Sequence, residues 1–140
     1  MTTRHARILC VEDEPETIEL IKLILGRHGY EVLGAKTGIE ALETMRREHP
    51  DLILLDLMLP GMDGWEVHRQ MKADPQLHDI PVIVVTAKAQ GIDRVLGLHV
   101  VKVDDYITKP FHVQELVEAV KRVLDAKRQE EQEEQEEMEQ

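Results

Sequence analysis

Asp51-Leu52-Ile53-Leu54-Leu55-Asp56-Leu57-Met58-Leu59-Pro60-Gly61-Met62-Asp63-Gly64 is the segment on which the fold turns. Leu52 to Leu55 form a short unbroken apolar run with an acid at each end. Such a run, bounded by turn residues, reads as a strand buried on both faces, here Asp51 to Asp56. Leu59 to Gly64 is rich in Pro and Gly and reads as a loop. A helix from about Trp65 to Ala73 follows.

The same strand-loop-helix unit recurs on both sides. Upstream, Ile8 to Val11 is a second doubly buried strand that ends in Glu12-Asp13-Glu14-Pro15. Pro15 is tolerated in the first turn of the helix that opens there. Ile18, Ile21 and Leu25 recur at helical spacing, with Leu20 and Ile24 widening the stripe, and Gly29 supplies the stop. Tyr30 to Ala35 is a weaker strand. Thr37-Gly-Ile-Glu40 has capping-box spacing and opens a helix carrying Ala41, Leu42 and Met45. Downstream, Pro81 to Thr86 is a strand with Pro at its first residue. Ala89 to about Val101 is helical in pattern, though weakened by Gly91 and Gly97. Asp105 to Lys109 is a short fifth strand, and Leu116, Val117, Val120, Val123 and Leu124 mark the last helix.

Five strands alternating with five helices predict an α/β fold, a parallel sheet covered on both faces. Chemistry in open sheets of this kind sits at the carboxyl ends of the strands. Those ends hold Glu12 and Asp13, Asp56, Thr86, and Lys109-Pro110. Each residue alone is an ordinary turn, cap or surface residue. Together they place three carboxylates, a hydroxyl and an ammonium at one end of one sheet. Clustered carboxylates repel, and one must take a proton unless a cation intervenes. Hard oxygen ligands suit Mg²⁺. A carboxylate can attack phosphorus, and phosphoryl transfer asks mainly for positioning and charge neutralisation.

The chain has 140 residues and reads as one domain. Its net charge of −11 argues against a general phosphate-neutralising surface for nucleic acid and against an anionic membrane leaflet. No apolar run approaches the roughly 18 residues that span a bilayer, and Met1 to Arg7 does not read as a secretory signal. One cysteine, Cys10, forms no intramolecular disulfide and fits a cytoplasmic protein. It reads as a small buried hydrophobe. The histidines lack metal-ligand spacing, and His68, His78 and His112 read as surface residues. Residues 129–140 hold seven Glu and no base, and the rest of the chain carries 21 acids against 17 bases. The expected organisation is a domain over 1–126 and an acidic tail over 127–140, either a helix extension or disordered.

Four segments stand out together: Val11-Glu-Asp-Glu14, Leu54 to Gly64, Val85-Thr-Ala87, and Asp104-Asp-Tyr-Ile-Thr-Lys-Pro-Phe111. In this order they make the sequence resemble a two-component response-regulator receiver domain, over about residues 6 to 126. The resemblance implies a flavodoxin-like, doubly wound sheet in the order 2-1-3-4-5. It implies Asp56 as phosphoacceptor, with Asp13, Asp56 and the Met58 carbonyl binding Mg²⁺ (Mn²⁺ as substitute) and Glu12 acting through water. It implies that Thr86 and Lys109 hold the phosphoryl oxygens and that Lys109-Pro110 is cis. Thr86 and Tyr106 are the implied switch pair, the aromatic turning inward when the hydroxyl is drawn to the phosphate. Met58 and Lys88 fall at positions that tune dephosphorylation.

The implied function is a phosphorylation-controlled switch rather than a turnover enzyme. A histidine kinase or phosphotransfer protein donates to Asp56, and the surface of the fourth helix, fifth strand and last helix meets an unknown protein target. The expected species is a monomer or a dimer formed on phosphorylation. With only about fifteen residues, mostly charged, after the last helix, a stand-alone receiver without direct DNA or membrane binding is expected, the alternative being a piece excised from a larger protein. One stretch departs from the family. Val100-Val-Lys-Val103 stands where many members have Gly-Ala, is about one residue longer, and makes a φ > 0 position costly.

Three other readings compete. A haloacid-dehalogenase-type phosphatase wants a second Asp where Met58 stands. A flavodoxin-like flavin carrier wants a hydroxyl-rich loop where Glu12-Asp13-Glu14-Pro15 stands. A phosphorylation-independent scaffold on the same fold leaves the site unused, and it ranks second.

Overall fold

The computed structural model describes residues 5–87 and 95–139. Five parallel strands form one sheet in the order β2-β1-β3-β4-β5. They are β1 (Arg7–Val11), β2 (Glu31–Ala35), β3 (Leu52–Leu55), β4 (Val82–Thr86) and β5 (Asp105–Thr108). Four α-helices are described: α1 (Pro15–Gly26), α2 (Gly38–Glu48), α3 (Gly64–Ala73) and α4 (Val113–Glu139). Much of the helix expected over 89–101 lies outside the described residues. Its end, Leu96–Val100, is a π-helical turn closed by the Val101 N–H on the Leu96 carbonyl at 2.7 Å.

Strand alternation builds two cores. Leu9, Val11, Ile53, Leu55, Val82 and Val84 face α2 and α3. Ile8, Cys10, Leu52, Leu54, Ile83 and Val85 face α1 and α4. That is why the strands read as continuous rather than alternating apolar runs.

The helix signals worked mostly as the residues suggest. Thr37 accepts the Glu40 N–H at 3.1 Å, but the Glu40 carboxylate reaches the Lys36 N–H rather than that of Thr37. Helix α3 starts one residue before Trp65, because the Asp63 carboxylate caps the Glu66 N–H at 3.0 Å. Beyond α1, Tyr30 N–H bonds the Leu25 carbonyl at 3.2 Å and Gly29 N–H the Gly26 carbonyl at 3.1 Å. This is a Schellman closure with Gly29 at φ +87°.

Leu20 is a correction. It is 49% exposed, because it lies away from the Ile18–Ile21–Leu25 stripe that meets the sheet. Leu23, one turn further on, is exposed with it. Helix α4 is continuous to Glu139, about 40 Å in all, and every residue from Arg128 to Glu139 is exposed. Among the described residues no helix is long and apolar enough to cross a membrane.

Two non-glycine residues adopt left-handed backbone: His49 (φ 47°), which closes α2, and Lys102 (φ 63°). Lys102 lies in the stretch where the family often has glycine, so the chain keeps a left-handed position and bears its steric cost. Both side chains are exposed. His49→Gly and Lys102→Gly should each stabilise the fold by about 0.5–1 kcal/mol, read by urea unfolding. A loss of stability in both would show that side-chain contacts outweigh the backbone strain.

Candidate functional site

Backbone hydrogen bonds carry the sheet pattern one residue past the strands and so place the site. Glu12 N–H bonds the Ala35 carbonyl at 2.9 Å, and Asp56 N–H the Val11 carbonyl at 3.0 Å. Lys109 N–H bonds the Thr86 carbonyl at 2.9 Å. Residues 12, 56, 86 and 109 are thereby fixed at the carboxyl edge of four adjacent strands.

Their side chains converge. Asp56 is buried, and its Oδ1 accepts from the Met58 N–H at 2.9 Å and from the Thr86 hydroxyl at 2.9 Å. Its Oδ2 accepts from Lys109 Nζ at 2.9 Å. The same ammonium bonds the Glu12 carboxylate. Glu12 also accepts the Glu14 N–H at 3.3 Å. Carboxylate oxygens of Glu12, Asp13 and Asp56 lie within 4.8 Å of one another, two on buried residues and Asp13 exposed. Three oxygen donors at this spacing, open on the Asp13 side, fit a hard divalent cation such as Mg²⁺.

Burial and hydrogen bonding pull these groups apart electrically. Burial works to raise the Asp56 pKa, but the Met58 N–H, Lys109 and Thr86 outweigh it and hold the carboxyl below its ordinary value. Burial pushes Glu12 up to about 7, with the Asp56 charge adding to it, against the pull of Lys109. Burial works to lower the Lys109 pKa, and the two carboxylates it bonds hold it above normal. The site therefore presents an ionised Asp56 beside a firmly charged lysine. Below the sheet edge, burial drives the Cys10 thiol up to about 12, which leaves it inert at neutral pH.

Thr86 is fully buried, with its hydroxyl turned onto Asp56, and Tyr106 is 1% exposed within the α2–α3 core. The Lys109-Pro110 peptide bond is cis. Met58 is exposed beside the site. Lys88 lies outside the described residues.

The chain belongs to the response regulator receiver domain family, whose model matches residues 8–121. It is 42% identical over 121 residues to the DNA-binding response regulator MtrA of Mycolicibacterium smegmatis. That match takes in 86% of this chain but 51% of the relative, so the chain spans about half of that protein's length. The CheY-like receiver domain protein from Methanospirillum hungatei superposes with a TM-score of 0.80 at 34% identity, over 91% of this chain and 99% of that one. The BeF₃-activated N-terminal receiver domain of Klebsiella pneumoniae RstA gives 0.77 at 35% identity, over 84% and 97%.

His68 corrects the surface reading. It is 3% exposed on the inner side of α3, edge-on to Trp65 with ring centroids 6.3 Å apart. Its Nε2 has no hydrogen-bond partner among the described residues. Val67 and Met71 beside it carry the helical stripe, and a histidine in such a stripe gives no sequence signal of its own. Burial, then the charge of Lys72, holds its pKa down to about 4. The unfolded chain therefore takes the proton first as pH falls. Its contribution to stability is full above about 6.5 and lost between about 6.5 and 4. From pH 7 to pH 5 this amounts to about 2 kcal/mol. Glu12 titrates in the same window, so the test is the difference between wild type and His68→Leu. Parallel stability curves for the two proteins would remove His68 as the cause.

Proposed function

We propose that this chain is a phosphorylation-controlled signalling switch with Asp56 as its phosphoacceptor. One observation carries the reading: a buried, ionised Asp56 whose two oxygens are fixed by Met58 N–H, Thr86 and Lys109, with Glu12 and Asp13 alongside. A histidine kinase or phosphotransfer protein supplies the phosphoryl group. A carboxylate oxygen of Asp56 attacks phosphorus, the P–N bond of the donor phosphohistidine breaks, and the imidazole nitrogen leaves with the electron pair and takes up a proton. Asp56 becomes an acyl phosphate.

Asp13, Asp56 and the Met58 carbonyl would hold the divalent ion, with Glu12 acting through water. The ion supplies neutralisation of the charge gathered on the phosphoryl oxygens. Lys109 and the Thr86 hydroxyl take the remaining oxygens. The protein catalyses the transfer onto itself, returns the donor dephosphorylated, and slowly loses the phosphoryl group to water as inorganic phosphate, so it is a switch rather than a turnover enzyme. Met58 and Lys88 set how fast water reaches the acyl phosphate.

The output runs through Thr86 and Tyr106. In this conformation the hydroxyl already faces Asp56 and the aromatic is already buried. In this reading the unphosphorylated chain populates both arrangements, and the phosphoryl group raises the population of the switched one. The surface that reads this state flanks β5, where Leu96 and Val113 are exposed on the elements that contact it and Val95 and Val101 are exposed beside the Leu96–Val100 turn. Its target is a protein. The polypeptide acts in the cytoplasm, as a monomer or as a dimer formed on phosphorylation.

The test is the intact mass after incubation with acetyl phosphate and Mg²⁺, repeated with EDTA. One added phosphoryl group, absent with EDTA, is expected. An unmodified protein in both would move the assignment to a phosphorylation-independent interaction module.

A further inference from the structure

We infer that Gly64 is a positioning residue for the phosphoryl-accepting carboxylate, an inference that rests on Asp56 being the nucleophile. The loop from Leu57 to Asp63 leaves β3 and returns as α3, and its two ends meet. Gly64 N–H donates to the Leu57 carbonyl at 3.0 Å, so the first residue of α3 is fastened to the Leu57–Met58 peptide, one peptide beyond Asp56–Leu57. That contact leaves no room for a side chain. A Cβ on residue 64 would stand 2.4 Å from the Asp56 carbonyl oxygen and 2.6 Å from the Leu57 Cα. Both are backbone atoms and cannot swing aside.

Relief to ordinary contact near 3.4 Å requires the Asp56–Leu57 peptide or the start of α3 to shift by about 1 Å. That peptide carries the whole hydrogen-bonded arrangement of Asp56. Oδ1 is aimed by the Met58 N–H, two residues along the same strand of backbone, and by Thr86 across the sheet. Oδ2 is aimed by Lys109. The Met58 carbonyl, a proposed metal ligand, hangs from the same turn. A shift of this size separates groups that arrive on β3, β4 and β5 independently. The absence of a side chain at 64 is therefore what lets α3 press the carboxylate into register with Thr86 and Lys109.

Gly38 is the built-in comparison. A Cβ there would also be crowded, by Val67 Cγ2 at 2.8 Å and by Met62 Cβ and Sδ at 3.0 Å. Those atoms are side chains of α3 and of the loop that leads into it, not the backbone of Asp56. Gly38→Ala should disturb packing without moving the carboxylate.

The experiment follows the rate of labelling by acetyl phosphate in wild type, Gly64→Ala and Gly38→Ala, with donor concentration varied, alongside urea unfolding of each. Gly64→Ala should lose on the order of 10²-fold in maximal labelling rate, as a misplacement of about 1 Å costs in other active sites. The donor concentration for half-maximal rate should change little, and Gly38→Ala should stay within about twofold of wild type. A second readout needs neither donor nor metal: hydrogen exchange of the Met58 amide, slowed in wild type by its bond to Asp56, should speed up in Gly64→Ala only. If Gly64→Ala alone does not fold, the same measurements are made in the His49→Gly background, whose change lies at the far end of α2.

A folded Gly64→Ala protein with wild-type labelling and Met58 protection would overturn the inference. So would equal rate losses in Gly64→Ala and Gly38→Ala. Failure of wild type to label would instead overturn the assignment of Asp56 and is seen before either variant is made.

Discussion

Asp56→Asn takes up no phosphoryl group from acetyl phosphate under conditions that label the wild type, and it keeps the fold. The amide oxygen of Asn still accepts from the Met58 N–H and Thr86, which hold Oδ1 of Asp56 at 2.9 Å each. What disappears is the ionised oxygen that attacks phosphorus, so the loss of labelling is complete rather than graded. Stability should stay within about 1 kcal/mol, because losing the bond to Lys109 is offset by removing a charge that faces Glu12. Intact mass and urea unfolding on the same preparation check both halves. Stoichiometric labelling of the variant would place the nucleophile elsewhere in the Glu12–Asp13 cluster.

Lys109→Met should be the most destabilising single change at the site. The ammonium bridges Glu12 and Asp56, whose side chains are only 3% and 7% exposed. Methionine keeps the apolar stem and removes the charge, leaving two buried carboxylates facing each other. Removing one partner of a buried pair costs about 3–5 kcal/mol, here a fall in Tm of about 10 °C. The sign of the pH dependence identifies the cause. Without the lysine, a folded-state carboxyl pKa lies further above its unfolded value. The variant therefore gains relative stability as pH falls and loses it as pH rises. Its deficit against wild type should be larger at pH 8 than at pH 5, and Mg²⁺ should shrink it. An equal deficit at both pH values, unmoved by Mg²⁺, would mean that packing rather than charge holds the site.

Strands β1, β3 and β4 were legible because each is buried on both faces, which writes an unbroken apolar run into a few residues. Leu52 to Leu55 and Val82 to Val85 need no knowledge of their neighbours to be read. The strand-end polar residues were legible for a related reason. In a parallel sheet the carboxyl ends of all strands lie on one edge, so order along the chain becomes proximity in space. Glu12, Asp13, Asp56, Thr86 and Lys109 could be assembled from that rule alone.

Tertiary structure alone decided matters that depend on what meets what. Leu20 and His68 are set by the angle at which α1 and α3 lie on the sheet, and a helical stripe does not specify that angle. The α1 stripe predicted burial for Leu20, which is exposed, and the α3 stripe gave no hint for His68, which is buried. The π-helical turn at Leu96–Val100 and the left-handed Lys102 belong to the return of the chain onto β5, which local pattern did not show. The reach of Lys109 to Glu12 and Asp56, 97 and 53 positions away, and the seating of Gly64 on the Asp56–Leu57 peptide depend on backbone placement accurate to a fraction of an ångström. Hydrophobic periodicity fixes which face is buried, whereas hydrogen bonds and close contacts depend on distances that only the packed sheet and helices set.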